Sequence, residues 1–345
     1  MKAAVLHKGE SLLQVEERTL GEPGPDEVKV RVECCGVCGS DLHITVHKIM
    51  SLKEYPRIPG HESSGVVLSV GADVTNVTTG DQVVIGAGTS CGVCEHCVAG
   101  RENLCEELGV LGFDRDGAFA EEIIVPARYL YKIPEGIPFD QAAILADAVS
   151  TPFHAIKYRG GFQEGETVGI YGCGGLGIHG IAIARALGAR KVVALDVDPG
   201  ALKHAGDFGA DEVIDVKSVR NAGKALKEAS GGCDVICDFS GHLKNVEDSL
   251  RALNTGGRIV MVGIGRGGLN FNMPQVMIFR QLSVCGSYGC DRRAIPELME
   301  LMAAGKLNLQ RSITSHHPLS ELNDCLDNLH HRRGNPIRYI ITPGK

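Results

Sequence analysis

The chain has 345 residues, with 35 Lys plus Arg against 42 Asp plus Glu and a net charge of −7. That length fits about two domains, and the acidic balance lacks the basic footprint of a nucleic-acid binder, so none is expected as a partner. Hydrophobic residues at 43% and charged residues at 22% exclude collagen-like, coiled-coil and disordered classes. Glycine, at 45 residues, is nearly twice its usual share of about 7%, which points to tight turns and to backbone that approaches a ligand closely. Met1 leads into an alternating segment with no basic stretch and apolar run, so no signal peptide is visible and a cytoplasmic location is expected. In a reducing compartment the thirteen cysteines are poor disulfide candidates, and clustered ones read as metal ligands.

In chain order, Glu27 to Glu33 alternates Val28, Val30 and Val32 with Lys29 and Arg31, the period of a half-buried strand. It leads to Gly36-Val37-Cys38-Gly39-Ser40-Asp41-Leu42-His43, and Pro59-Gly60-His61-Glu62 follows. A lone histidine is more often a core or surface residue than a ligand. Together with a cofactor fold, a Cys, His and carboxylate set suggests a catalytic zinc with three protein ligands and one exchangeable position. The β-rich runs Ser63–Gly71, Asp81–Ile85 and Phe119–Val125 predict antiparallel strands joined by turns. Between them Cys91, Cys94, Cys97 and Cys105 stand at C-x2-C-x2-C-x7-C. Four thiolates at this spacing can close a tetrahedron around zinc at Zn–S distances of about 2.3 Å and leave no place for a substrate. A structural zinc loop over residues 91–105 is expected, with incidental thiols or an iron–sulfur site as alternatives.

Beyond about Gly165 the pattern becomes strand, helix, strand. Apolar runs at Thr167–Tyr171, Lys191–Leu195, Glu212–Val216, Cys233–Phe239 and Arg258–Gly263 predict a doubly wound parallel sheet. Thr167 to Ala184 carries no Asp, Glu, Lys or Arg, but six glycines and His179 interrupt it, so a strand, a turn and a helix are expected and no membrane span. The turn reads Gly172-Cys173-Gly174-Gly175-Leu176-Gly177. Gly172 permits the tight turn, Gly174 lets backbone approach a pyrophosphate, and Gly177 lets helix and strand pack closely. The helix N-terminus then offers free N–H groups to phosphate. Asp196 ends the second strand, twenty-four residues after Gly172, where an acid accepts hydrogen bonds from an adenosine ribose and repels a 2′-phosphate. NAD is therefore expected over NADP; the alternative is an Asp that only caps the strand. Asp198 and Pro199 can start the next helix and Gly209 can end it. Helices over Arg293–Ala304 and Ser320–His330 and a last strand over Ile337–Thr342 complete the chain.

The run Gly36 to His43, the Gly60-His61-Glu62 triplet, the four-cysteine loop and the Gly172–Gly177 turn, in this order, resemble the zinc-dependent medium-chain alcohol dehydrogenases. The resemblance extends over essentially the whole chain and reaches bacterial secondary-alcohol, polyol and threonine dehydrogenases. It implies an α/β fold: a GroES-like β-rich catalytic domain over 1–148, a doubly wound Rossmann NAD-binding domain over 149–288, and a segment over 289–345 that returns to the catalytic domain. It implies two zincs per chain, one structural and one catalytic, with Cys38 and His61 as catalytic ligands and Asp147 at the third-ligand position, where many relatives have Cys. A carboxylate there is sound, since Asp binds zinc at about 2.0–2.2 Å; a helix-capping Asp is the alternative. Glu62 either binds the metal itself or stands behind the ligands, and Asp41 is the partner for the far nitrogen of His61. By the same resemblance Ser40 takes the alcohol proton, which passes through the cofactor ribose to His43. Thr151 contacts the nicotinamide side, and Arg338 the pyrophosphate.

Two departures stand out. Gly39 replaces a basic residue found beside the first zinc ligand in some relatives, and Ala201 stands where others have Lys. The eight other cysteines are expected to be small buried hydrophobes, with Cys173, inside the turn, accessible enough for oxidation to block NAD. The function expected is hydride transfer between NAD and a secondary or cyclic alcohol and its ketone, a polyol or a hydroxyacyl thioester included. The alternatives are a zinc-independent enoyl or quinone reductase on the same scaffold and a non-catalytic NAD- and zinc-binding redox sensor. Pocket walls are expected from His47–Pro56, Phe113–Asp116 and Asn270–Ser287, and pairing of the Rossmann domains into a homodimer or homotetramer is expected from the family.

Overall fold

The computed structural model describes residues 1–271 and 274–345. Asn272 and Met273, which fall within the expected pocket wall 270–287, lie outside the described residues. The chain forms two compact units, one from Met1–Ser150 with Asp291–Lys345 and one from Thr151–Cys290.

The first unit is built on a mainly antiparallel sheet. Glu27–Gly36 pairs with Glu62–Val70, with Glu122–Pro126 and, at its far end, with Arg338–Thr342. Gln82–Ile85 and Leu130–Lys132 extend the sheet on one side, and Ile313–Pro318 runs parallel to Arg338–Thr342 on the other. Alternation explains the central strand: Val28, Val30 and Val32 point into the core, while Lys29 is half-buried and Arg31 exposed. The core joins these valines to Phe119, Ile123, Leu322, Leu326 and Ile341, so the C-terminal segment shares the hydrophobic interior of the N-terminal one. Periodicity could not place that tail. The register Ile340 opposite Gly36 and Ile341 opposite Cys35 does.

The second unit holds six parallel strands in the order Glu212–Asp215, Lys191–Asp196, Thr167–Tyr171, Cys233–Asp238, Leu253–Met261, Ser283–Gly286. Numbered along the chain this is 3-2-1-4-5-6, the order of a dinucleotide-binding sheet. The expected helix after the second strand spans Pro199–Asp207, capped by an Asp198 carboxylate that accepts from the Ala201 N–H at 2.9 Å. The fifth strand starts at Leu253, ahead of the expected Arg258, because Asn254, Thr255, Gly256 and Gly257 hide its beginning among turn-forming residues. The sixth is four residues of mixed burial and gave no apolar run to read. Among the described residues no helix is long and apolar enough to cross a membrane.

Candidate metal centre and dinucleotide turn

Cys38 ends the extended segment after the central strand and sits at the N-cap of the helix Gly39–Thr45. Asp41, three residues on and fully buried, accepts the Cys38 N–H at 2.9 Å. This bond fixes the turn that presents the thiol. The other Asp41 oxygen faces His61 Nδ1 at 3.6 Å, which directs His61 Nε2 towards Asp147 Oδ2 at 3.5 Å. The same Asp147 oxygen lies 3.8 Å from Cys38 Sγ. One donor atom each from Cys38, His61, Glu62 and Asp147 lies within 4.8 Å of all the others. Donors held by one tetrahedral zinc stand about 3.3–3.8 Å apart, given bonds of about 2.0–2.3 Å, so the separations suit such an ion.

The electrostatics agree. Burial opposes a charge on His61, yet Asp41, Asp147 and Cys38 outweigh it and raise its pKa well above that of a free histidine. The pocket is a place made for positive charge. Glu62, completely buried, has both carboxylate oxygens without a hydrogen-bond partner, and burial pushes its pKa up to about 7 against the opposing pull of Arg338. A buried carboxylate is costly without a cation beside it, and Arg338 is one such cation. Arg338 Nη1 stands 3.4 Å from Glu62 Oε1 and donates to the Val37 carbonyl at 2.9 Å. Within its own unit Arg338 is thus a buried partner of Glu62.

Ser40 and His43 ride on the same short helix, both half-buried, with Ser40 Oγ 3.7 Å from Cys38 Sγ. Burial and the neighbouring His47 lower the His43 pKa, and Asp41 raises it. Phe113, from an expected wall, meets the His61 ring edge-on at 5.6 Å between centroids.

The four-cysteine loop forms a second cluster. Cys91 Sγ and Cys94 Sγ stand 3.9 and 3.5 Å from Cys97 Sγ, near the edge of about 3.8 Å of a tetrahedron with Zn–S bonds of about 2.3 Å. The Cys94 N–H donates to Cys91 Sγ at 3.3 Å and the Cys91 N–H to Cys105 Sγ at 3.4 Å. Backbone donors from Val93 and Cys94 bring the Cys91 thiol down to about 6, favouring the thiolate that binds metal.

In the second unit Gly172 has φ +81° at the end of the first strand, a conformation for glycine. A Cβ on Gly177 would lie 1.8 Å from the Gly172 carbonyl oxygen, whereas one on Gly174 would meet nothing within 4 Å. The turn is therefore packed tightly on the helix side and open at Gly174, the cradle a pyrophosphate needs. Gly175 and Leu176 complete it before the helix Gly177–Ala186. Asp196 reaches back to the turn: one oxygen accepts the Cys173 N–H at 2.6 Å, the other the Val197 and Asp198 N–H groups at 2.7 and 2.9 Å. Thr151 is buried at the start of this unit.

Two expectations are corrected. Cys173 is not an accessible thiol: it is buried, and burial together with the Asp196 charge pushes its pKa far up, so thiolate chemistry is suppressed. Of the eight cysteines taken as buried hydrophobes, Cys285 and Cys290 are only half-buried. Sequence reasoning also missed Gly36 as part of the metal pocket. The signal was available only as strand register, which sets Gly36 opposite Glu62.

Residues 24–135 match the Alcohol dehydrogenase GroES-like domain family, and residues 175–304 match the Zinc-binding dehydrogenase family. An alcohol dehydrogenase of Geobacillus stearothermophilus is 34% identical over 331 residues, 95% of this chain and 96% of that protein. The chain belongs to the zinc-dependent medium-chain alcohol dehydrogenases. Its fold is the GroES-like plus Rossmann fold of that family. An alcohol dehydrogenase from E. coli CFT073 complexed with NADH superposes at a TM-score of 0.90 with 27% identity, and a zinc-binding dehydrogenase structure from Sinorhizobium meliloti 1021 bound to NADP at 0.88 with 28%; each comparison covers 99% of both chains. This family member is an NAD-dependent, zinc-containing alcohol oxidoreductase that acts on a small molecule.

Proposed function

We propose that this dehydrogenase interconverts a secondary or cyclic alcohol, a polyol or a hydroxyacyl thioester included, with the corresponding ketone, using NAD in preference to NADP. The observation that carries the reading is the cluster of buried Cys38, His61 and Glu62 with half-buried Asp147, whose donor atoms gather within 4.8 Å in a chain that also carries an open glycine turn. Residues 1–148 with 289–345 form the catalytic domain in this reading, and 149–288 the NAD domain. The compact units support that division.

Cys38, His61 and Asp147 would hold the catalytic zinc, with Glu62 as the adjacent carboxylate, and Cys91, Cys94, Cys97 and Cys105 the structural one. When bound, zinc supplies a Lewis acid for the substrate oxygen and the dinucleotide supplies the hydride acceptor. The chain's own residues do the rest. Asp41 orients Cys38 through the 2.9 Å bond and keeps His61 turned with Nε2 to the pocket. Arg338 balances the charge of Glu62 from behind, at 3.4 Å; the family resemblance also assigns it to the pyrophosphate. Ser40 Oγ takes the hydroxyl proton, and His43 receives it on the way to solvent. In the second unit Gly172, Gly174, Gly175, Leu176 and Gly177 cradle the pyrophosphate, Asp196 excludes a 2′-phosphate, and Thr151 lies on the nicotinamide side. The assembly is a homodimer or homotetramer, located in the cytoplasm.

The test is zinc analysis of the purified protein combined with a panel of 2-butanol, cyclohexanol, 2,3-butanediol, xylitol and sorbitol, with NAD and with NADP. Two zincs per chain and NAD-dependent oxidation of at least one secondary alcohol are expected. Turnover that survives removal of the zinc at Cys38 would overturn the mechanism.

A further inference from the structure

His43 is the first of a row of imidazoles. Its Nδ1 stands 3.3 Å from His47 Nδ1, and His47 Nε2 stands 3.2 Å from His330 Nδ1. His330 ends the helix Leu322–His330, which packs against the helix that carries His43. The His331 ring follows edge-on at 4.6 Å between centroids, its Nε2 3.3 Å from Asp327 Oδ1. All of these residues belong to one compact unit. His43 is half-buried, whereas His47 and His330 are exposed.

The pattern of contacts decides between a metal site and a proton path. His47 meets His43 through Nδ1 and His330 through Nε2. One ion cannot take both nitrogens of one ring, so the three rings do not make a chelate. Opposite nitrogens are what proton transfer requires, because a neutral imidazole accepts at one and donates from the other.

We propose that His43, His47 and His330 form an imidazole relay that exchanges the reaction proton between the pocket and solvent. The relay rests on the reading above, since His43 must first receive that proton. The proton arrives at His43 Nε2 and the one on His43 Nδ1 passes to His47 Nδ1. His47 releases its Nε2 proton to His330 Nδ1, and His330 gives its Nε2 proton to water. One proton enters and one leaves, and exchange of all three rings with water, the half-buried His43 included, restores the starting tautomers. Reduction of a ketone runs the same path inward. The charges along it are graded. Asp41 stands behind His43, and Asp327 lies at the outer end, held acidic by Arg333 with help from His331 and His330. Lys48, next to His47, instead donates to the Gly9 carbonyl at 3.3 Å. His47 and His330 act through His43 and are positioning residues.

The experiment uses the zinc-loaded enzyme with NAD and two readouts. The first is histidine ¹⁵N NMR of the substrate-free complex, in which His47→Gln is expected to shift the titration of His43 upward by removing a neighbour that lowers it. The second is stopped-flow proton release, read with an indicator dye in dilute buffer during oxidation of the panel alcohol turned over fastest. His47→Gln and His330→Gln are each expected to slow proton release about tenfold relative to NADH formation, and added imidazole to restore it. Slowing without rescue by imidazole marks a merely structural role and overturns the relay. Normal release in both variants, with release still slowed in His43→Gln, overturns the relay but leaves the proton path through His43 intact. Normal release in His43→Gln overturns that path itself.

Discussion

Gly36 and Glu62 are register partners on adjacent strands, and a Cβ on Gly36 would lie 2.4 Å from Glu62 Oε2 and 3.2 Å from Glu62 Cβ. The absent side chain is the space in which the buried carboxylate lies. Gly36→Ala is expected to overpack this spot, with a loss of about 1–3 kcal/mol and displacement of the carboxylate from the metal pocket. Urea unfolding measures the first effect. Zinc analysis measures the second, with metal lost at Cys38 and kept in the four-cysteine loop.

The two metal clusters share no residue, so they should empty independently. Cys38→Ser is expected to lower zinc from about two to about one per chain and to abolish turnover, because its site is the one expected to keep an open position. Cys97→Ser should also lose about one zinc, and additionally lower the thermal midpoint, since a closed site contributes to folding. Elemental analysis beside a melting curve distinguishes the pair. Equal effects of both variants on turnover and melting would contradict separate roles.

Asp196 carries two duties that a pair of variants can separate. Its carboxylate holds the Cys173 N–H of the glycine turn, and its charge opposes a 2′-phosphate. Asp196→Asn keeps an acceptor for the turn but removes the charge, so NAD preference over NADP should fall by about tenfold or more, in keeping with a charged hydrogen bond of about 1.5–3 kcal/mol. Asp196→Ala should add a rise in KM for both cofactors. Steady-state kinetics with each dinucleotide provides the check.

Cys173 should be chemically silent. Burial first and the Asp196 charge second raise its pKa, so at pH 8 its thiolate fraction lies well below that of a free cysteine, and it grows only when pH climbs towards the raised value. Iodoacetamide followed by peptide mass mapping should label Cys173 only after unfolding. The Cys173→Ala enzyme should retain the peroxide sensitivity of the parent.

The glycine turn was legible because each of its residues answers a local demand: the positive φ of Gly172 and the contact of Gly177 with the Gly172 carbonyl arise within six residues. The four-cysteine loop was legible for the same reason, since its ligands are near neighbours in sequence. Local burial was not. Cys173 in a glycine-rich turn reads as exposed until the surrounding strands are seen to enclose it, and the fifth strand hides its start because Asn254–Gly257 interrupt the register between Leu253, opposite Cys233, and Arg258, opposite Val235.

The sequence by itself determined the fold class, the four-cysteine set and the strand-turn-helix for the dinucleotide, because short-range spacing and side-chain chemistry carry that information, whereas the Cys38, His61 and Asp147 set was implied by family resemblance. Only the tertiary structure decided what Asp147, Arg338 and His330 have beside them. Asp147 lies more than a hundred residues from Cys38, Arg338 reaches Glu62 because the last strand pairs with the central one, and His330 meets His47 through the packing of two helices from opposite ends of the chain. Each contact depends on which strand edges and helix faces meet after burial of the core, and no periodicity along the chain records that.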